Sequence, residues 1–257
     1  MGLLQQDYLP QDLEPHLRRH GITGCLAVQA AQDINETQWL LQLSDQYPFI
    51  EGVVGWIDLK SDTLQRDLLA LAQHPRLCGI RHVAQDEPDD CFLVQPEVVR
   101  GIAAIGRAQL TYDILIYERQ FPAAIQLVGQ LDQQPFILDH LGKPQQRGGD
   151  FETWAQHLRE FARAPNVFSK LSGLVTEFPG RQWTKEHLRR YLDEALKAFS
   201  PHRLLFGSDW PVCRLAAEYA QVVEIIEDWS NSLSVSERHD LFGATARRVY
   251  RLNTKRR

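Results

Sequence analysis

Short apolar segments alternate with longer amphipathic segments along almost the whole chain, with one pair about every 30 residues. Seven of the short segments have the nearly continuous apolar character of strands that are covered on both faces. They are CLAVQA from Cys25, GVVGWIDL from Gly52, GIRHV from Gly79, TYDILI from Thr111, PFILDHLG from Pro135, NVFSKLSG from Asn166 and RLLFGSDW from Arg203. The segments between them carry Leu, Trp, Phe and Ala at three- and four-residue steps, which is the spacing of amphipathic helices.

This order predicts an α/β fold, a parallel sheet built from right-handed crossover units. No composition break or Gly/Ser linker interrupts it, so we expect residues 1–257 to form one domain. Seven or eight such units in roughly 250 residues fit a TIM-like (β/α)8 barrel better than an open doubly wound sheet. The helix boundaries agree, since Asp150 and Thr184 are suitable N-caps and Pro96 suits a first helical turn.

Composition narrows the possible partners. The formal net charge of −5 lacks the positive field that a nucleic-acid or anionic-membrane surface requires, so we expect neither partner. No apolar run approaches the roughly 18 residues of a membrane span, and the N-terminus does not resemble a secretory signal, so we expect a cytoplasmic protein. The four cysteines form no CxxC pair, which predicts reduced thiols. A small metabolite remains as the expected ligand, and a homo-oligomer is compatible with these features.

Polar and ionisable residues stand at or just beyond the ends of several apolar segments. In a (β/α)8 barrel the catalytic groups lie where strands run into the following loops, so several of these side chains should converge over one mouth. Seven of them are candidate site residues: Arg81, His82, His140, Lys143, Lys170, Ser172 and Asp209; Asp58 in GWIDL stands at a strand end in the same way. Asp209 is the clearest case, because it closely follows the apolar run LLFG and a carboxylate is poorly tolerated there without a partner.

Structural alternatives compete with these roles. Asp209 could cap the following loop through an Asx turn, and His140 could be a core histidine that a backbone carbonyl satisfies. Arg81 and His82 are neighbours in a predicted strand, so only one of them can point into the barrel. Asp139 and His140 are under the same constraint.

Five ordered motifs carry a family resemblance. GVVGWIDL, GIRH with the following QDEPD, LDHLGKP, KLSGLVTE and GSDWPVC resemble the amidohydrolase-related sugar lactonases, the L-fuconolactonase and L-rhamnonolactonase-like group. The resemblance covers nearly the whole chain, from Asp7 to Leu252. It implies a distorted TIM barrel and a hydrolase that opens a five- or six-membered lactone of a sugar acid with water. The expected partner is therefore a small sugar lactone.

The resemblance also implies roles for the strand-end residues. Asp209 would take a proton from the attacking water, and the hydroxide formed would add to the lactone carbonyl. His140, together with Arg81 or His82, would polarise that carbonyl and hold the developing oxyanion.

Three further residues are expected to contact substrate. Lys143, Lys170 and Ser172 would orient the hydroxyls of the sugar or the carboxylate of the product, although Lys170 could equally lie along the barrel rim with its stem buried. Two other functions remain open: a catalytically silent relative that at most binds a sugar acid, and a metal-dependent decarboxylase or amide hydrolase of the same superfamily.

The chain departs from the family pattern at its start. Members of the family usually begin with a strand that carries a His-x-His pair, whereas His16 and His20 lie in the helix-like stretch DLEPHLRRHG. We therefore expect a barrel without its first strand, with CLAVQA and RLLFGSDW on either side of a gap. His140 and Asp209 are fewer than the three protein ligands of a catalytic zinc site, so no cofactor is predicted. A divalent metal such as zinc becomes plausible only with an added His-x-His strand.

Overall fold

The computed structural model describes residues 2–144, 150–178 and 183–252. Seven parallel strands form one sheet in which each strand pairs with its neighbours in chain order, and the sheet curls into a half-barrel. The strands are β1 (Cys25–Val28), β2 (Ile50–Gly55), β3 (Leu77–His82), β4 (Thr111–Ile114), β5 (Phe136–Leu138), β6 (Val167–Leu171) and β7 (Leu204–Phe206). The prediction of seven parallel strands in a TIM-like arrangement is confirmed.

A helix precedes β1, and a helix follows every strand. The helices are α1 (Pro10–Arg19), α2 (Ile34–Gln46), α3 (Leu64–Leu71), α4 (Pro96–Arg107), α5 (Phe121–Gln130), α6 (Phe151–Phe161), α7 (Lys185–Phe199), α8 (Tyr219–Trp229), α9 (Val235–His239) and α10 (Thr245–Val249). The predicted caps are present, since the carboxylate of Asp150 accepts from the backbone N–H of Thr153 at 3.0 Å and Pro96 opens α4. The hydroxyl of Thr184 likewise accepts from the backbone N–H of His187 at 3.2 Å.

The helices pack their apolar stripes onto the outer face of the sheet. In α6, Trp154, Leu158 and Phe161 recur at helical spacing and are almost completely buried. Burying a side chain of this kind stabilises the fold by roughly 1.5–3 kcal/mol. In the described part of the chain no helix is long and apolar enough to cross a membrane, and all four cysteines are free thiols.

Several strands end earlier than their apolar segments predict. β5 stops at Leu138 and β7 at Phe206, so the polar residues of LDHLGK and GSDW lie in the following loops. Both loops then contain left-handed backbone, with φ of 54° at His140, 53° at Leu141 and 54° at Asp209. A residue in this conformation cannot be part of an extended strand, and a non-glycine residue adopts it at a cost of about 1–3 kcal/mol.

The half-barrel is open between β1 and β7. Within the described ranges neither strand has a partner on its outer edge. A cavity of about 600 Å³ separates the two strands, and Leu13 and Leu17 of α1 line its outer side. All four residues of β1 are only half-buried, whereas β2 is buried at five of its six positions. The expected gap between CLAVQA and RLLFGSDW is therefore present.

We predict that one added strand will occupy this gap. A designed strand joined before Met1 would reach the outer edge of β1 through α1 as a right-handed crossover, and would pair with both open edges. We expect a higher melting temperature, by about 2–4 °C for each kcal/mol gained, and less self-association in size-exclusion chromatography. The control is an extension of the same length with proline at alternate positions, because proline cannot complete a ladder. Equal melting temperatures for the two extended chains would contradict the prediction.

Candidate active site

His140 lies at the centre of the mouth of the half-barrel, two residues beyond β5. Its Nδ1 is 2.8 Å from the hydroxyl oxygen of Ser172, and its Nε2 is 3.8 Å from Oδ1 of Asp209. Gly173 packs against the ring so closely that a Cβ there would come within 2.5 Å of Nδ1. The imidazole is therefore held by a side-chain hydroxyl, and not by a backbone carbonyl as the structural alternative required.

Asp209 lies three residues beyond β7 and faces His140 across the cavity. Its backbone carbonyl accepts from the N–H of Cys213 at 2.8 Å, and Pro211 occupies the N-cap of the following short 3-10 turn. The Asp209 side chain is 18% exposed and lines the cavity, which leaves its carboxylate accessible to a small molecule. This placement favours the functional interpretation of Asp209 over the capping one.

The protonation state of His140 follows from its surroundings. Burial lowers the pKa of the imidazole, and the charges of Asp209 and Asp139 oppose this effect without overcoming it. His140 is therefore neutral at pH 7. When the Ser172 hydroxyl donates to Nδ1, the imidazole proton resides on Nε2 and points toward Asp209.

Arg81 is the member of the Arg81–His82 pair that points into the barrel. One guanidinium nitrogen lies 2.8 Å from Oδ2 of Asp139, and the other donates to the side chain of Gln29 at 2.9 Å and to its backbone carbonyl. Gln29 directly follows β1, so Arg81 ties the edge strand to β5 across the mouth. Its guanidinium is already hydrogen-bonded to Asp139 and Gln29 in the absence of substrate.

His82 points to the outside of the sheet. The indole N–H of Trp56 donates to its Nδ1 at 3.2 Å, its Nε2 lies 2.7 Å from Glu87, and its ring stacks on Phe92. Burial lowers the pKa of His82, although the Glu87 carboxylate acts in the opposite sense. The structure therefore does not bring His82 to the cavity, because strand alternation turns it away from Arg81.

Lys143 also lies away from the cavity. Its ammonium is 3.7 Å from Glu177 and 5.4 Å from the centre of the Tyr117 ring. The Lys143 backbone is left-handed, with a φ of 52°, and its N–H donates to the carbonyl of His140 at 2.9 Å, so only the Lys143 side chain is turned away from the cavity. Of the seven residues predicted from the sequence, Arg81, His140, Lys170, Ser172 and Asp209 line one cavity and His82 and Lys143 do not.

Lys170 is buried below the mouth between two carboxylates. Its ammonium lies 2.6 Å from Oδ2 of Asp113 and 2.7 Å from Oδ1 of Asp139. Both aspartates are completely buried, and sequence reasoning named neither as a site residue. A signal for Asp113 existed, because a carboxylate in the middle of the buried strand TYDI requires a cation nearby. Lys170 also lines the cavity, so its expected contact with substrate stays a prediction beside these ion pairs.

The described residues do not by themselves form a zinc site. They contain no group of three or more His, Cys, Asp and Glu side chains that could hold a metal ion. His140 and Asp209 offer one nitrogen and one carboxylate, and catalytic zinc takes three protein ligands.

Comparison with known proteins identifies the family of the chain. The family model described as Amidohydrolase, Amidohydro_2, matches residues 2–252. The chain belongs to this amidohydrolase family. It is 41% identical to an L-fucono-1,5-lactonase of Burkholderia multivorans, over 98% of this chain and 88% of that protein. It is 34% identical to an L-fucono-1,5-lactonase of Burkholderia ambifaria, again over 98% and 88%.

A solved structure has the same fold. A crystal structure of an amidohydrolase from Burkholderia multivorans with bound zinc superposes with a TM-score of 0.93 at 41% identity. The match covers 98% of this chain and 91% of that one. The sequence-based assignment to the lactonase-like amidohydrolases is confirmed.

We predict that the His140 imidazole titrates below the ordinary histidine value of about 6.5, because burial disfavours its charged form. NMR of the histidine rings between pH 4 and 8 measures this, and the His140→Gln variant identifies the resonance. A His140 titration at or above 6.5 would contradict the prediction.

Proposed function

We propose that this chain hydrolyses the lactone ring of a sugar acid with water. The observation that carries the proposal is the facing pair of His140 and Asp209, with Nε2 and Oδ1 3.8 Å apart on the wall of a cavity of about 600 Å³. The two L-fucono-1,5-lactonases that resemble the chain over 98% of its length support the choice of lactone over other substrates.

The chemistry follows from the two side chains. The Asp209 carboxylate takes a proton from water while the water oxygen bonds to the lactone carbonyl carbon. The Nε2–H of His140 donates to the carbonyl oxygen as that oxygen gains negative charge. When the ring C–O bond breaks, the Asp209 carboxylic acid returns its proton to the departing ring oxygen. The products are the open-chain sugar acid and a regenerated carboxylate.

The supporting residues hold this pair in position. When the Ser172 hydroxyl donates to Nδ1, His140 carries its proton on Nε2 and can donate it from there. Arg81 binds Asp139 and Gln29, so it steadies the loops on both sides of the mouth. Orientation of this kind matters because small misplacements of reacting groups cost rate steeply.

The open cavity favours a second candidate function. Water that enters between β1 and β7 weakens the stabilisation of an oxyanion by fixed donors. A chain in this state would be a weakened relative that binds a sugar acid and turns lactone over slowly. Calorimetric binding of the sugar acid without lactone turnover would support this second candidate.

We predict that Asp209→Asn lowers lactone hydrolysis by at least about 100-fold, because the amide cannot accept the proton of water. A pH-indicator assay of acid release measures the rate, and the melting temperature checks that the fold is intact. Asp132→Asn, at an exposed position between α5 and β5, is the matched control and should leave the rate unchanged. Equal rates for the parent and the Asp209 variant would remove Asp209 from the mechanism.

We further predict that the reaction is selective for lactones. Five- and six-membered sugar aldonolactones should react in preference to amides and phosphate esters of similar size. The measurement is initial rate across such a panel, with Asp209→Asn run in parallel to exclude background hydrolysis. A panel in which only an amide or a phosphate ester reacts would overturn the proposed function.

A further inference from the structure

Four consecutive strands each direct one charged side chain into the half-barrel. They are Arg81 on β3, Asp113 on β4, Asp139 directly after β5, and Lys170 on β6. Asp113 and Asp139 are fully buried, and the Arg81 and Lys170 side chains are each only 12% exposed. Two positive and two negative charges make the set neutral. We call these four residues and Tyr250 the interior network.

The members of the interior network are joined in one chain of contacts. The Arg81 guanidinium lies 2.8 Å from Asp139, and the Lys170 ammonium bridges Asp139 at 2.7 Å and Asp113 at 2.6 Å. Tyr250, which directly follows α10, donates its hydroxyl to Oδ2 of Asp113 at 2.7 Å. The C-terminal part of the fold is thus connected through four side chains to the mouth of the half-barrel.

Two members of the interior network stand next to the proposed active site. Asp139 directly precedes His140, so the position of its carboxylate sets where the left-handed turn at His140 begins. Lys170 on β6 stands two residues before Ser172, which directly follows the strand, and both line the cavity; Ser172 holds Nδ1 of His140. The Asp139 carboxylate and the Ser172 hydroxyl therefore belong to two segments that the Lys170–Asp139 ion pair connects.

The turn that carries His140 depends on such ties. His140, Leu141 and Lys143 all have positive φ. Non-glycine residues keep this backbone conformation only when contacts with the surrounding structure hold them in it. Leu141 is held by the indole N–H of Trp154, which donates to its carbonyl at 2.8 Å. At the start of the turn the corresponding restraint is the Asp139 carboxylate between Lys170 and Arg81.

We infer that Asp113, Lys170 and Tyr250 are positioning residues that hold Asp139, and through it His140, in the geometry the reaction requires. None of the three needs to touch substrate for this role. Asp113 is the second carboxylate that contacts the Lys170 ammonium, beside Asp139. The Tyr250 hydroxyl donates to the Asp113 carboxylate and fixes its position. The inference rests on the proposed lactonase function only for its kinetic consequences.

The test compares two network variants with a matched control. Tyr250→Phe removes one hydroxyl from the interior network, and Asp113→Asn removes one charge with little change of shape. Tyr112→Phe is the control, because Tyr112 is fully buried on β4 and its hydroxyl has no hydrogen-bond partner in the described part of the chain. All three are made in the full chain, with thermal melting as a check on folding.

The first readout is the NMR signal of the His140 ring, which does not require turnover. We expect the ring resonances to move in Tyr250→Phe and Asp113→Asn and to stay in place in Tyr112→Phe. The second readout is lactonase kinetics, where both network variants should lower kcat by about tenfold with KM changed less than about twofold. If the parent chain does not hydrolyse lactones, the NMR comparison still decides the inference.

Unchanged His140 resonances in both network variants, with only a lower melting temperature, would overturn the inference and leave a structural role alone. If Asp113→Asn does not fold, the His140 resonances of Tyr250→Phe are compared with those of Tyr112→Phe, and unchanged resonances in Tyr250→Phe overturn the inference. A rise in KM with unchanged kcat would also overturn it, because that pattern indicates direct substrate binding by the network.

Discussion

Charges that are removed from water must be paired, and this constraint organises the interior of the molecule. Asp113 and Asp139 are completely buried, and burial by itself raises the pKa of a carboxyl group. For Asp139 the neighbouring charges of Lys170 and Arg81 reverse that effect, so its pKa lies below the ordinary range. Burial would likewise discharge Lys170, but the two carboxylates raise its pKa and keep it protonated. Four strands and the segment after α10 must therefore keep their relative positions, because moving one exposes an unpaired charge.

Periodicity along the chain predicts the architecture well, for a physical reason. Parallel strands that are covered on both faces must be apolar, and their connecting helices must be amphipathic, so segments such as CLAVQA and DFETWAQHLREF can be recognised without any tertiary information. The caps at Asp150 and Thr184 are equally local, since each bonds a backbone N–H three residues away. Strand ends were predicted less well, because they depend on backbone conformation and not on hydrophobicity.

The candidate site was predicted only in part. His140 and Asp209 were identified from their positions after apolar runs, and both line the cavity. The choice between Arg81 and His82 required the direction of alternation in β3, which the sequence leaves open. Asp139 and His140 were expected to point in opposite directions, yet both line the cavity because the strand ends before them. The partners of Lys170 lie 31 and 57 residues away in the sequence, and only the order of strands in the sheet brings them together.

The open side of the half-barrel has a consequence for motion. His140 follows a strand that pairs with strands on both sides, whereas Asp209 follows β7, which in the described part of the chain pairs with one strand only and packs its other side against Asp240–Ala244. A strand whose backbone is hydrogen-bonded on one side only opens at lower free-energy cost than one paired on both sides. His140 and Asp209 therefore belong to segments of unequal rigidity. The distance between their side chains changes whenever β7 opens locally. On warming, the pair would part while the interior is still folded, so that loss of activity precedes loss of structure.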